Sequence, residues 1–213
     1  MFIDVITFMK EILKQSPIIP VITIDHVEDA CMLAQLLHRY GFNTLEITLR
    51  TANALSIINV LAEEFSHLTI GAGTVTDIDT MEQVVQSKAK FAVSPGFTQS
   101  IASLASMYSL PYLPGVATPS DVMQAKAFGL NCLKLFPAEV VGGIPWLQSI
   151  ASVFPEISFC PTGGISFDNA AHYLNLSNVI SIGMSALTPS HLIKAKDWEG
   201  IEAILKTVRL NHS

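Results

Sequence analysis

Charged side chains are scarce in this sequence of 213 residues. Only 14% of the residues are charged, and 18 acidic against 12 basic residues give a net charge of −6 without blocks of either sign. Nucleic-acid and anionic-membrane surfaces need concentrated lysine and arginine, so we expect neither partner. Half of the residues are hydrophobic, which is enough for a large core and excludes disordered and fibrous classes.

Cysteine is also rare. Cys31, Cys132 and Cys160 are odd in number, widely spaced and without a C-x-x-C pair, which indicates buried, reduced thiols in a cytoplasmic protein. The N-terminus has Asp4 among its apolar residues and no basic segment, so we expect no signal peptide. Residues 91–120 carry no charge, but four prolines interrupt them, which argues against a membrane span.

Several catalytic motifs are missing. The six histidines form no H-x-H or H-x₃-H pair, and only His26 directly follows a predicted strand, so we expect no metal site. No G-x-S-x-G elbow of a Ser/His/Asp hydrolase is present. The first predicted strand is not followed by the G-x-G-x-x-G of a dinucleotide-binding sheet. We therefore expect no cofactor.

What the sequence does contain is a regular alternation of short β-rich runs and helical patterns. The run starts are 21 to 26 residues apart, which fits a strand, a helix of about three turns and two loops. Eight such units predict parallel strands with right-handed crossovers, and favour a (β/α)₈ TIM barrel over an open doubly wound sheet. The predicted strands are Ile18–Thr23, Asn43–Leu49, Thr69–Ala72, Lys90–Ser94, Pro111–Gly115, Cys132–Phe136, Ile157–Cys160 and Asn178–Gly183.

Further helical patterns lie at both ends of these units. We expect an extra N-terminal helix over residues 1–16, and a C-terminal helix with a tail over residues 197–213. The whole of residues 1–213 is then one barrel domain.

Two of the internal helices begin with capping signals. Asp25 with Glu28 resembles a capping box. Thr118 offers an N-cap, followed by a proline at the first helical position and Asp121 at the third.

Polar residues inside the predicted strands are the exceptions that suggest chemistry. Strands of a parallel barrel are covered on both faces and should be nearly all apolar. The two-residue period of a strand turns Glu46, Thr48 and Arg50 into the barrel and their apolar neighbours outward. By the same rule, Lys134 and Thr162 point inward, and Thr74 follows the end of the third predicted strand.

A buried lysine and a buried glutamate must form an ion pair, shift their pKa values towards the uncharged forms, or take part in catalysis. A structural Lys134–Glu46 ion pair is one explanation. Both residues, however, lie in the C-terminal halves of their strands, where barrel active sites are built, which favours catalysis. An uncharged lysine attacks a carbonyl and forms a Schiff base, and a nearby carboxylate shuttles protons. Since Arg50 can bind a carboxylate bidentately, a 2-keto acid is the expected substrate class.

Glycine-rich turns follow the last two predicted strands. They contain Gly163–Gly164 and Gly183–Met184–Ser185. In barrels, the loops at these positions commonly bind phosphate through backbone N–H groups. The two turns together predict a phosphorylated substrate.

Seven segments also resemble a known family. In order along residues 17–188 they read PVITI, LEITLRT, GAGTV, SPG, LPGVATPS, LKLFPAEVVGG and FCPTGGIS. They are similar to the 2-keto-3-deoxy-6-phosphogluconate (KDPG) aldolase family, which also acts as 4-hydroxy-2-oxoglutarate (KHG) aldolase. This resemblance implies a class I, metal-independent aldolase in a (β/α)₈ barrel that is usually a homotrimer.

The resemblance also implies roles for individual residues. Lys134 matches the Schiff-base lysine and Glu46 the general acid/base of the family. The remaining matches bind substrate: Arg50, Thr74 and Thr162 at the pyruvate end, and Gly163, Gly164 and Ser185 at the phosphate end. One departure is visible, because family members often read G-G-S-W where this chain has Gly183–Ala186.

Three other readings stay open. The substrate of an aldolase with these residues can have the galactonate instead of the gluconate configuration. A phosphosugar isomerase or a thiamine-phosphate-type synthase can share the same barrel, but does not use an inward lysine to form an imine. A pyruvate- or phosphate-binding protein that has lost its chemistry would form no covalent adduct with a keto acid.

Overall fold

A computed structural model describes the backbone of residues 2–210 and the side chains of residues 8–208. Within the described residues there are nine strands, which alternate with helices except between β5 and β6: β1 (Ile18–Ile22), β2 (Thr44–Thr48), β3 (Thr69–Gly73), β4 (Phe91–Val93), β5 (Tyr112–Leu113), β6 (Gly115–Val116), β7 (Cys132–Leu135), β8 (Ser158–Phe159) and β9 (Ile182–Met184).

In the same part of the chain, ten α-helices accompany these strands: α1 (Phe2–Lys14), α2 (Val27–Arg39), α3 (Ala54–Glu64), α4 (Ile78–Gln86), α5 (Gln99–Met107), α6 (Pro119–Ala127), α7 (Gly143–Ala151), α8 (Ala170–Leu174), α9 (Ser190–Ala195) and α10 (Trp198–Leu210). The terminal helices α1 and α10 confirm the two predicted terminal helices over the described residues. Residue 1 and residues 211–213 of those predictions lie outside them. No helix in the described range combines the length and apolar character needed to cross a membrane.

The paired strands are all parallel, as the alternation predicts, and most pair with the next strand along the chain; the exceptions are β5 with β6 and β8 with β9. Their order is β5-β4-β3-β2-β1-β9 in one sheet and β6-β7-β8 in a second. Isolated parallel bridges, Phe159 to Val179 and Thr162 to Gly183, join the end of the second sheet to the last strand region. The parallel α/β class is confirmed, although the assigned strands form two sheets instead of one closed ladder.

The predicted strand Pro111–Gly115 is two short strands, β5 and β6. Pro114 lies between them, and a proline has no N–H to give to a ladder. Its carbonyl still accepts a 2.8 Å hydrogen bond from the N–H of Lys134. The chain therefore passes from one sheet to the other at this proline, next to the lysine that the sequence singles out.

Two separate apolar cores follow from the inward and outward faces of the strands. The larger core lies between strands and helices and includes Leu45, Ile47, Leu133 and Leu135, as the two-residue period predicts. A smaller core inside the ring consists of Met9, Leu13, Ile19, Phe91, Val93, Leu113, Cys132 and Cys160. Since Met9 and Leu13 belong to α1, this helix closes one end of the interior.

Two glycines of β3 make room for other side chains in that interior. A Cβ at Gly71 would lie 2.3 Å from the ring of Phe91, and one at Gly73 would lie 2.2 Å from Oε1 of Glu46. The two glycines thus leave space for the ring of Phe91 beside Gly71 and for the carboxylate of Glu46 beside Gly73. This packing fixes where the carboxylate of Glu46 can lie.

The cysteine prediction holds for two of the three thiols. Cys132 and Cys160 are buried, whereas Cys31 is only half-buried, and all three are free. Cys31 lies on α2 beside Glu64, with 3.7 Å between its Sγ and the carboxylate.

The capping prediction at Asp25 is wrong. The N-cap of α2 is His26, whose side chain makes no capping hydrogen bond. The prediction at Thr118 is confirmed: its side chain accepts from the N–H of Asp121, and the carboxylate of Asp121 accepts from the N–H groups of Ala117 and Thr118. Of these two predicted caps, one forms and the other does not. A side chain caps a helix only where the preceding backbone brings it close to the free N–H groups of the first turn.

We expect Asp121→Ala to lower the free energy of unfolding by about 1 kcal/mol at pH 7. Burial raises the pKa of Asp121, but the N–H groups of Ala117 and Thr118 outweigh this effect and the net pKa is lowered. A carboxyl with a lowered pKa stabilises the fold above its unfolded-state pKa, about 4, and loses this contribution as the pH falls through the folded-state value. Urea unfolding should therefore show a smaller difference between wild type and variant at pH 3 than at pH 7. An equal difference at both pH values would contradict the assignment.

Candidate active site

The centre of the site is a buried ion pair between two strands. Nζ of Lys134, on β7, lies 3.2 Å from Oε1 of Glu46, on β2. The two residues are only 5% and 4% exposed. The pairing predicted from two strands 88 positions apart is therefore present, and both groups are almost completely removed from water.

The surroundings of this pair contain one further reactive group, the thiol of Cys160. Burial raises the pKa of Cys160 to about 12, while Lys134 acts in the opposite direction. The thiol is thus protonated at neutral pH and cannot compete as a nucleophile. Of the residues in this part of the interior, the lysine is the one with a nucleophilic nitrogen.

A cavity of about 340 Å³ lies at the C-terminal ends of the strands, and the Lys134–Glu46 pair is not among its lining residues. The ring of Phe136 connects the two, since it lines the cavity and its centroid lies 5.2 Å from Nζ of Lys134. The other lining residues are Val21, Arg50, Pro137, Glu139, Val140, Thr162, Gly163, Gly164 and Ser185. Five of the eight predicted site residues are therefore brought together in one wall.

Thr162 lies in this wall with its hydroxyl unsatisfied. The residue is 6% exposed, and no nitrogen or oxygen in the described chain is hydrogen-bonded to its Oγ1, whose polar neighbour is the Cys160 thiol. A buried hydroxyl without a strong partner is costly. A ligand atom in the cavity would satisfy it.

Gly163 and Gly164 form a turn that only glycine adopts easily. Their φ angles are +97° and +83°, in the left-handed region. Within the described chain, the N–H groups of both residues have no hydrogen-bond partner. Consecutive free N–H groups in such a turn are suited to bind an anion, which agrees with the predicted phosphate end.

Ser185 is exposed and begins a short 3₁₀-helix, Ser185–Leu187, after β9. Its neighbour Met184 is buried in the outer core at 1% exposure. The methionine that replaces a family glycine therefore sends no side chain into the cavity, so this departure leaves the cavity wall open.

Arg50 and Thr74 are placed differently from the expectation. Arg50 lies in the turn after β2 and is exposed at the rim, instead of pointing into the barrel. It lines both this cavity and a second one of about 380 Å³, whose lining residues likewise include neither Lys134 nor Glu46. Thr74 is half-buried and does not line the cavity, but it follows Gly73 directly and has a φ of +67°. Such a φ is unusual for a β-branched residue and is typical of functional sites.

Five of the ten lining residues were not predicted as site residues, and Phe136 and Glu139 are the two with an aromatic ring or a charge. Phe136 lies two positions after Lys134, so the two-residue strand period was the signal that places its ring inward. Glu139 follows in the loop and has no periodicity to reveal it. No group of three or more His, Cys, Asp or Glu among residues 2–210 is arranged to hold a metal ion.

Comparison with known proteins agrees with this geometry. A family model described as KDPG and KHG aldolase matches residues 9–204. The 2-dehydro-3-deoxy-phosphogluconate aldolase of Dickeya dadantii is 40% identical over 94% of both chains.

Solved structures give the same result. The KDPG aldolase of Legionella pneumophila, with pyruvate captured as a covalent carbinolamine, is 40% identical with a TM-score of 0.91 over 94% of this chain and 97% of the other. That of Zymomonas mobilis with 3-phosphoglycerate is 37% identical with a TM-score of 0.88 over 94% of both. The family model and these relatives match the chain along almost its whole length, and the chain contains a buried lysine–glutamate pair: this chain belongs to the KDPG and KHG aldolase family.

Proposed function

We propose that the chain is a Schiff-base aldolase that cleaves KDPG to pyruvate and D-glyceraldehyde 3-phosphate. The observation that carries this proposal is the 3.2 Å contact between the buried Lys134 amine and the buried Glu46 carboxylate. The ring of Phe136 links this pair to a cavity whose wall contains the Gly163–Gly164 turn. Cleavage of a carbon–carbon bond next to a carbonyl requires an electron sink and a proton transfer. The amine provides the electron sink by forming an imine, and the carboxylate transfers the proton.

The first half of the reaction forms the imine and breaks the bond. Lys134, in its neutral form, adds to C2 of the keto acid, and loss of water gives the imine. Glu46 takes the proton of the C4 hydroxyl, the C3–C4 bond breaks and its electrons move into the imine. The aldehyde leaves, and an enamine of pyruvate stays on Lys134.

The second half releases pyruvate. The protonated Glu46 returns its proton to C3 of the enamine, and water hydrolyses the resulting imine. One carboxylate therefore serves as base and then as acid, so it must stay close to both C3 and C4. The packing of Gly73 against Glu46 restricts the carboxylate to that position. No step requires a metal ion.

Substrate binding is divided between the two ends of the cavity. We assign the carboxylate end to Arg50, Thr74 and Thr162, and the phosphate end to Gly163, Gly164 and Ser185. The Zymomonas mobilis structure with 3-phosphoglycerate supports a phosphorylated ligand in this family. KHG, which has no phosphate, is a second substrate in this proposal. The homotrimer stays a prediction from the resemblance, and the cytoplasmic location stays a prediction from the cysteine pattern.

The assay that tests this function measures pyruvate release from KDPG and from KHG. We expect a higher kcat/KM for KDPG, because its phosphate binds the glycine turns. Ser185→Ala should reduce this preference about tenfold by removing one hydrogen bond to a charged group. A phosphosugar isomerase or a synthase would release no pyruvate, and equal kcat/KM values for the two acids would refute the phosphate site.

The galactonate epimer is the alternative substrate. The two epimers differ at C4, where Glu46 acts, and both carry the same phosphate. The same assay with 2-dehydro-3-deoxy-6-phosphogalactonate separates them, and we expect a lower kcat/KM for this epimer.

A further inference from the structure

The cavity contains one charged side chain to which the mechanism gives no task, Glu139. It lies in the loop after β7, is exposed, and lines the cavity beside Gly163 and Gly164. Its backbone N–H donates a 3.1 Å hydrogen bond to the carbonyl of Gly163. Glu139 is therefore hydrogen-bonded through its backbone to the turn that we assign to phosphate binding.

Neighbouring residues hold this carboxylate in one position. The hydroxyl of Tyr173, on α8, donates to its Oε1. Burial and the neighbouring carboxylate raise the pKa of Tyr173, so the phenol keeps the proton that it donates. Two glycines also pack closely against the Glu139 side chain and restrict its position. A Cβ added at Gly164 would lie 2.5 Å from Cγ of Glu139, and a Cβ added at Gly143 would lie 3.0 Å from its Oε1.

The second oxygen, Oε2, has no hydrogen-bond partner in the described chain, and no lysine, arginine or histidine there forms an ion pair with Glu139. A fixed, unpaired negative charge repels phosphate, so it does not recognise the phosphate group itself. It can accept a hydrogen bond from a neutral donor. The substrate groups of that kind are its hydroxyls.

We propose that Glu139 is a specificity-determining residue whose Oε2 accepts a hydrogen bond from the C5 hydroxyl of KDPG, a role that rests on the proposed function. Lys134 binds C2 and Glu46 acts at C3 and C4. The phosphate on C6 lies at the Gly163–Gly164 turn, to which Glu139 is attached. The hydroxyl next to C6 is then the one within reach of Glu139.

The test uses the reverse reaction, addition of pyruvate to an aldehyde. D-glyceraldehyde 3-phosphate carries this hydroxyl, and its 2-deoxy analogue, 3-oxopropyl phosphate, lacks it. In Glu139→Gln the amide oxygen can still accept from Tyr173, while an NH₂ group replaces Oε2. We expect the ratio of kcat/KM for the two aldehydes to fall about tenfold in this variant, as for loss of one hydrogen bond to a charged group. Glu156→Gln, which changes a surface glutamate paired with Lys126, is the matched control and should keep the wild-type ratio.

The other outcomes overturn the proposal. Equal losses with both aldehydes would indicate that Glu139 only supports the turn, and a gain with both would indicate simple repulsion of phosphate. Tyr173→Phe, which frees the carboxylate, should lower the same ratio by a smaller factor, and an unchanged ratio would contradict the positioning by Tyr173. If the wild type adds pyruvate to neither aldehyde, the proposed function itself fails, whereas an unchanged ratio in an active Glu139→Gln enzyme refutes only the role of Glu139.

Discussion

Lys134→Ala should abolish cleavage of KDPG and remove covalent capture of pyruvate by borohydride. In the wild type, reduction of the imine adds a three-carbon unit to Lys134, which mass spectrometry of the digested protein locates. The variant has no amine at this position, so the electron sink is lost. We expect kcat to fall about 10⁵-fold or more, on the scale of losing a catalytic nucleophile.

Controls separate chemistry from folding in this experiment. Removal of Lys134 leaves Glu46 buried without its partner, which typically costs about 3–5 kcal/mol. Lys134→Gln can still donate a hydrogen bond to Glu46, so it should fold better and be equally inactive. Lys126→Ala removes a half-exposed lysine paired with Glu156 and should keep both activity and adduct. Near-normal turnover in Lys134→Gln, or an adduct on another lysine, would refute the mechanism; a wild type without any adduct would indicate a binding protein without chemistry.

The strand positions were predictable because their period is simple. Parallel strands covered on both faces are apolar, so a lysine and a glutamate within them were visible as exceptions, and alternation gave their direction. The structure places Lys134 and Glu46 in contact, as that argument requires. The same reasoning, continued for two residues, would have identified Phe136.

Loop positions were less predictable because no period constrains them. Arg50 lies in the turn that follows β2, two residues after the strand ends. Strand alternation no longer applies there, and the side chain is exposed at the rim of the cavity. Glu139 is fixed by Tyr173, 34 positions away, and by glycines that allow close contact. A contact of this kind depends on the tertiary fold, and a single sequence does not contain its distance.

Glu46→Gln should give a slow enzyme that still forms the imine. The amide can accept a hydrogen bond from Lys134 but cannot take or return a proton at C3 or C4. Loss of one general acid/base typically costs 10²–10⁴-fold, and we expect kcat to fall within that range. Borohydride should still add pyruvate to Lys134, because the amine is intact.

A second measurement isolates the proton transfer from bond cleavage. In D₂O, pyruvate bound as the imine exchanges its C3 protons through the enamine, and the carboxylate that we assign to this step is Glu46. Glu46→Gln should therefore slow exchange and cleavage by similar factors, whereas Glu63→Gln, on the surface beside Lys88, should slow neither. Gly73→Ala, whose Cβ would lie 2.2 Å from Oε1 of Glu46, should displace the carboxylate and slow both reactions as well. Fast exchange with slow cleavage in Glu46→Gln would show that a different group protonates C3, and would limit Glu46 to the C4 hydroxyl.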